Sequence, residues 1–174
     1  MTRTAIALAV LALTTAASAT AKPPAHSRTI HRYLARATVE INSYRALLRR
    51  LQALLTEVPP VNVDPLVEKL YRVADRFEDL DATWEAIDAP RGLRVRHRGM
   101  GRVFVLFAGA YRIDAAALFT RHPDEILAAR PKVEGRLRSA SYLQYRWAAA
   151  LQGVLVRAGL RVPKWLHGMA SSPP

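Results

Sequence analysis

The sequence predicts an all-α protein, an up-down-up-down four-helix bundle after an N-terminal signal peptide. Two observations predict this fold. Apolar residues recur at alternating spacings of three and four along four long segments, and short stretches containing proline or glycine separate those segments. The chain has 174 residues, of which 51% are hydrophobic, which is enough for one domain with its own core. We expect that domain at residues 29–166, between a short lead at 22–28 and a disordered tail at 167–174.

The first 21 residues have the composition of a secretory signal peptide. Arg3 supplies an early positive charge, residues 5–13 form an apolar run, and small residues then give A-x-A matches ending at Ala19 and Ala21. The alternative is an uncleaved membrane anchor, which the shortness of the apolar run disfavours. We expect no transmembrane segment after cleavage. The protein is therefore predicted to be exported, to the periplasm or outside the cell.

The first two predicted helices each carry one apolar stripe. The first helix is predicted over residues 29–57, with Ser27 as its N-cap, and the prolines of the following V-P-P stretch end it. The second helix is predicted to open at Asp64-Pro65, with the aspartate as its cap and proline in its first turn. The stripes consist of Ile30, Leu34, Ala37, Ile41, Tyr44, Leu48, Leu51 and Leu55, and then of Leu66, Leu70, Val73, Phe77, Leu80, Trp84 and Ile87.

The third and fourth predicted helices continue the same spacing. The third is predicted over residues 91–120, and the fourth begins near Pro123, is kinked or split at Pro131, and runs to about Ala158. Gly159 suits the left-handed position that follows a helix. The stripes consist of Leu93, His97, Met100, Phe104, Phe107, Tyr111, Ala115 and Leu118, and then of Val133, Leu137, Ala140, Leu143, Trp147, Leu151 and Val154.

Charge is unevenly distributed along this basic chain, whose formal net charge is +12. Residues 64–89 carry eight acidic and three basic side chains, whereas residues 90–122 carry one acidic and seven basic side chains. We expect the acidic second helix to pair with its basic neighbours across their seams. The carboxylates proposed for that pairing are Glu68, Glu78, Asp81 and Glu85.

Arginines on the third helix form a candidate anion-binding stripe, away from the apolar one. A row of guanidinium groups attracts anions, so the expected partner is an anionic envelope lipid or a cell-wall polymer. The alternative is a solvated face with no partner. Aromatic residues do not alternate with these arginines, so sequence-specific nucleic-acid recognition is not expected. The stripe consists of Arg91, Arg94, Arg98, Arg102 and Arg112.

The core-facing side of the third helix contains a second candidate site, either a packed core layer or an apolar ligand pocket. Counting along the helices from their connecting turns places His97 level with Asp81 and Ala82 and within a turn of Trp84 on the second helix, and level with Trp147 on the fourth. We expect Asp81 or Glu85 to accept the imidazole proton. The candidate residues are Leu34, Trp84, His97, Met100 and Trp147.

No cofactor, metal or catalytic group is expected. His97 and Met100 are three residues apart on one helix, so they cannot bind opposite faces of a haem. The sequence contains no Glu-x-x-His motif for a carboxylate-bridged metal pair, no cysteine, and no G-x-S-x-G nucleophile motif. We therefore expect a protein that is not an enzyme, and an enzyme of unknown class is the least favoured alternative.

The stretch from Trp84 through Pro90, Leu93 and His97 is similar to a pattern in small, uncharacterised, exported helical-bundle proteins of bacteria. The resemblance covers mainly residues 84–111. It implies a bundle fold and an envelope location, and it transfers no catalytic residue. The expected function is binding of an anionic envelope partner through the basic face, and the alternative is a small-ligand carrier with an apolar pocket in its core.

Overall fold

The computed structural model of the protein describes residues 25–56 and 63–170. The predicted signal peptide, residues 22–24 of the predicted lead, residues 57–62 with the predicted proline break, and residues 171–174 lie outside the described residues, whereas residues 25–28 of the lead belong to a helix. All regular structure in the described part is helical, and no strand occurs there. A single 3-10 turn at Arg91–Leu93 precedes α3. The helices are α1 (Ala25–Thr56), α2 (Asp64–Glu85), α3 (Arg94–Thr120), α4 (Pro123–Arg157) and α5 (Lys164–Ala170).

Two predicted helix caps are wrong. α1 begins at Ala25, so Ser27 lies inside its first turn. α2 begins at Asp64 with Pro65 in its first turn, but no side chain caps this helix. The Asp64 carboxylate instead accepts hydrogen bonds from the guanidinium of Arg121, at 2.7 and 2.9 Å. This ion pair joins the start of α2 to the turn between α3 and α4.

The predicted break at Pro131 does not divide α4, which is one continuous helix. Proline has no amide hydrogen, so the carbonyl of Leu127 loses its usual donor. The side chains of Leu127 and Pro131 are both exposed, so this part of α4 faces solvent and water can replace the missing donor. After α4, Gly159 adopts the predicted left-handed conformation, with φ of 66°.

α5 includes residues 167–170, which the sequence analysis assigned to the disordered tail. This short helix packs against α4. Leu166 is fully buried in the common core, and Trp165 stacks on Trp147 with ring centroids 6.1 Å apart. These two apolar contacts explain why the helical part of the chain continues beyond the predicted boundary.

α3 lies at the centre of the packing, with α2 and α4 as its main neighbours. Two groups of aromatic side chains connect it to the other helices. We call Tyr33, Trp84, His97 and Trp147 the tryptophan layer, and Tyr44, Phe77, Phe104 and Phe107 the phenylalanine layer. Each layer includes residues of α1, α2 and α3, and Trp147 adds α4 to the first.

One helical stretch, Arg91–Thr120, is long and apolar enough by length and composition to cross a membrane. The expectation of no transmembrane segment after signal cleavage stays a prediction. In the folded chain 44% of the apolar window of this stretch is buried, and its buried side chains form the centre of the core. A core helix and a membrane-spanning helix both have this composition.

Candidate functional site

The tryptophan layer holds three of the predicted core-layer residues in mutual contact. The imidazole of His97 stacks on the indole of Trp84, with centroids 4.7 Å apart and planes inclined by 19°. Trp147 meets Trp84 edge-on at 5.4 Å. The indole N–H of Trp84 donates a hydrogen bond of 2.9 Å to the backbone carbonyl of His97. The stacking and this hydrogen bond together hold the indole of Trp84 against His97.

The polar partner of His97 is Tyr33, which the sequence analysis did not select. Its hydroxyl lies 3.2 Å from Nδ1 of His97 and accepts a hydrogen bond of 3.0 Å from the indole N–H of Trp147. The prediction that Asp81 or Glu85 accepts the imidazole proton is wrong. Both carboxylates lie at the surface cleft beside the layer, whereas Tyr33 projects from α1 into the core.

The other two predicted members of the layer are placed differently from each other. Met100 is fully buried in the core. Leu34 is half-buried and packs at the margin of the core. The residue before it, Tyr33, is 1% exposed and takes the position in the layer. The rotation of α1 about its own axis decides which of these two adjacent residues faces the core. The spacing of apolar residues within α1 does not determine that rotation.

His97 lies at the boundary between the core and two surface clefts. The clefts have volumes of about 450 and 600 Å³, and both are lined by Glu85, His97 and Arg98. The residue is 6% exposed, and its Nε2 is the one buried side-chain atom in the described part of the chain without a hydrogen-bond partner. An unpaired buried donor or acceptor costs about 1–3 kcal/mol. Burial also lowers the pKa of His97, because desolvation opposes the charged imidazolium.

We expect the lowered pKa of His97 to make the protein less stable on mild acidification. The unfolded chain binds a proton as the pH falls through about 6.5, whereas the folded chain keeps the ring neutral to a lower pH. The contribution of the neutral His97 ring to the free energy of unfolding is therefore complete above pH 6.5. It is lost between pH 6.5 and the pKa that His97 has in the folded state. The wild type should lose up to about 1.4 kcal/mol of unfolding free energy per pH unit in that window through this group.

The measurement is urea denaturation between pH 5.5 and 7.5, compared with the variant His97→Phe, which keeps an aromatic ring beside Trp84. Asp81 and Asp114 have pKa values raised by burial, so protonation of these carboxyls at lower pH favours the folded state and acts in the opposite direction. Glu85 and Asp88, whose negative charges raise the pKa of His97, are present in both the wild type and the variant. Equal pH dependence in the two proteins would contradict the assignment to His97.

The predicted arginine stripe is divided by the structure. Arg112 pairs with the carboxylates of Asp75 and Glu78 on α2, at 2.9 and 2.8 Å, so it is wrongly included among the anion-binding residues. The same contact is a pairing of the expected kind between the acidic second helix and the basic third. The other four side chains are exposed and form no ion pair within the described residues: Arg91, Arg94, Arg98 and Arg102.

Two of these arginines border a groove between α3 and α4 that the sequence analysis did not identify. The groove has a volume of about 360 Å³, and no carboxylate lines it. Arg96 and Arg146 were not part of the predicted stripe, because one lies off its spacing and the other lies on a different helix. The signal in the sequence was the excess of basic residues on both helices. We call this surface the arginine groove, lined by Val95, Arg96, Arg98, Gly99, Arg102, Leu143 and Arg146.

Among the residues that the structure describes, no group of three or more histidine, aspartate or glutamate side chains could hold a metal ion. Comparison of the chain with protein-family models, with curated proteins and with solved structures finds no match. The charged and hydrogen-bonding side chains that line the clefts and the arginine groove are therefore the features that indicate a function.

Proposed function

We propose that the chain is an exported, non-enzymatic, up-down-up-down helical bundle that binds anionic lipid at the cell envelope through the arginine groove. The order in which residues enter the two aromatic layers supports the helix directions. α1 and α3 reach the tryptophan layer before the phenylalanine layer. In α2, Phe77 precedes Trp84, and in α4, Gln144, which bonds to Tyr44, precedes Trp147. This order supports opposite directions for consecutive helices.

The observation that carries the proposed activity is the convergence of four guanidinium groups on a groove without a carboxylate. Arg98 and Arg102 are exposed, whereas Arg96 and Arg146 are half-buried along its sides. Guanidinium groups remain charged at any physiological pH and bind phosphate oxygens in a bidentate manner. The repulsion among these four charges is relieved when an anionic partner occupies the groove.

Apolar side chains beside the groove favour a lipid surface over a soluble polyanion. Val95, which lines the groove, is 68% exposed, and Tyr142 is 48% exposed. The Arg146 guanidinium lies over the Tyr142 ring, 5.4 Å from its centroid. Exposed apolar groups next to arginines are typical of surfaces that contact lipid headgroups and the adjoining acyl region.

The test is binding to phosphatidylglycerol vesicles at low salt by the wild type and by the double variant Arg96→Gln/Arg146→Gln. Each basic residue near an anionic surface contributes about 1 kcal/mol, so we expect the variant to bind about 30-fold more weakly. Wild-type binding should also weaken as salt rises and screens the charges. Vesicles of phosphatidylcholine alone should bind poorly.

The matched control is Arg45→Gln/Arg49→Gln, which removes the same two charges from exposed positions on α1, outside the groove. This control should retain most of the wild-type affinity. Equal losses in both double variants would show that net charge, and not the groove, drives binding. Stronger binding to a soluble polyanion than to vesicles would assign the groove to a cell-wall polymer instead of a lipid.

A further inference from the structure

The hydrogen-bond chain through Tyr33 favours one position for the proton of the neutral His97 ring. The Trp147 indole N–H can only donate, so the Tyr33 oxygen accepts from it. The Tyr33 hydroxyl keeps its hydrogen because burial raises the pKa of this phenol far above its ordinary value. Nδ1 of His97 is the acceptor within reach of that hydrogen, at 3.2 Å. A neutral imidazole with its proton on Nε2 is the tautomer that gives this hydrogen an acceptor.

The Nε2–H group of His97 is therefore a buried donor for which the described residues provide no acceptor. Both the stacked face on Trp84 and the bond to Tyr33 hold the ring in place, so the ring cannot turn to find an acceptor without breaking them. The residue nevertheless lines two clefts. An oxygen atom of a molecule in either cleft could accept this hydrogen bond.

Charged groups of both signs surround the 450 Å³ cleft. Arg98 and Arg102, one helical turn apart, border it on α3, and Asp81 and Glu85, also one turn apart, border it on α2. A Cβ atom placed on Gly101 would lie 3.0 Å from Oδ1 of Asp81, so the glycine leaves room for this carboxylate against α3. Gly101 follows His97 by four residues, which separates the carboxylate from the imidazole by about one turn, or about 5 Å along the helix.

We propose that this cleft binds a small zwitterion that carries one anionic oxygen group and one ammonium group. The anionic group accepts from His97 Nε2–H and pairs with Arg98 and Arg102, and the ammonium group pairs with Asp81 and Glu85. Aminoethyl phosphate has both of these groups, either as the free molecule or as the headgroup of phosphatidylethanolamine. Burial and the neighbouring Glu85 raise the pKa of Asp81, because both disfavour a negative charge on its carboxyl group. An ammonium group bound beside Asp81 would stabilise that negative charge.

The experiment is a titration of the full chain, labelled with ¹⁵N, with O-phosphoethanolamine above pH 7. Long-range ¹H–¹⁵N spectra of the histidine rings report the protonated nitrogen directly. We expect His97 to be protonated on Nε2 before titration and its Nε2 resonance to shift saturably. Ethyl phosphate and ethanolamine, each with one of the two charges, should bind about tenfold more weakly or worse. Phosphocholine, whose quaternary nitrogen has no hydrogen to donate, should also bind more weakly.

Two variants make the result specific. Asp81→Asn should weaken phosphoethanolamine binding by about tenfold without changing the response to ethyl phosphate. Arg146→Gln, which affects only the arginine groove, should leave the titration unchanged, so that failure here is distinguishable from failure of the proposed lipid binding. Vesicles with and without phosphatidylethanolamine then distinguish a headgroup from a free zwitterion, and a His97 shift from either source supports the proposal. A proton on Nδ1, no saturable shift with either source, or an equal affinity for ethyl phosphate would overturn it.

Discussion

Replacing Trp147 with alanine is expected to lower the free energy of unfolding by about 3–5 kcal/mol. This side chain is fully buried and contacts three helices: its ring meets Trp84 of α2, stacks on Trp165 of α5, and donates to Tyr33 of α1. The substitution removes all three contacts and leaves a cavity that the surrounding aromatic rings cannot fill. Domains of this size have total stabilities of about 5–15 kcal/mol, so the variant should be near the limit of folding. Urea denaturation followed by circular dichroism measures the loss.

Trp165→Ala is the matched control for this prediction. Trp165 stacks on the same indole but is only half-buried, so its loss removes one contact and leaves the hydrogen bond to Tyr33 intact. We expect a smaller loss than for Trp147→Ala. If the two variants are equally destabilised, the tryptophan layer does not have the central role in stability that its contacts indicate.

Replacing Tyr33 with phenylalanine should lower the free energy of unfolding by about 2–4 kcal/mol, although only one oxygen atom is removed. That oxygen is the acceptor for the Trp147 indole N–H, and it lies within hydrogen-bond distance of His97 Nδ1, at 3.2 Å. Removing it leaves two buried groups without a partner. The loss should therefore be larger than that from deleting an ordinary hydrogen bond, and urea denaturation measures it.

Tyr44→Phe provides the comparison, since it also deletes one hydroxyl from a buried tyrosine of α1. The Tyr44 hydroxyl donates to the side chain of Gln144, which is half-buried and can bind water in its absence. We expect this variant to lose about 1 kcal/mol.

In the Tyr33 variant, ring ¹⁵N shifts should also show that His97 no longer has a fixed tautomer. A fixed Nε2–H tautomer in the absence of the Tyr33 hydroxyl would contradict the hydrogen-bond chain.

Spacing within each segment predicted most of the fold's elements. Side chains three or four residues apart lie on one face of a helix, so the apolar stripe of α3 could be predicted from the sequence, and its members from Leu93 to Ala115 are buried. In the other helices some buried positions are displaced by one residue: in α1, Tyr33 and Leu47 each precede a predicted position, and in α2 and α4, Val67, Ala74 and Leu155 each follow one. α1 has apolar residues on a broad face, and only its neighbours decide which part of that face is buried.

The candidate sites could likewise be predicted only in part from the sequence. The basic excess of the third and fourth segments was visible in the sequence, but the arginine groove depends on how α3 and α4 face each other. Arg146 joins the groove from another helix, and Arg112 is lost from the predicted stripe because α2 places Asp75 and Glu78 beside it. These partners are 37 and 34 residues away along the chain, so no local spacing indicates them.

The sequence by itself therefore determined the helical class, most helix boundaries, and the helices that carry an excess of charge, because these depend on residues within a few turns of one another. The tertiary structure alone decided which groups meet: Trp147 and Tyr33, 114 residues apart, and Tyr33 and His97, 64 residues apart. The physical reason is that local spacing sets which face of a helix is apolar, whereas the rotation and axial offset between helices result from packing the whole core together. The unpaired Nε2 of His97, with the clefts beside it, is a product of that packing.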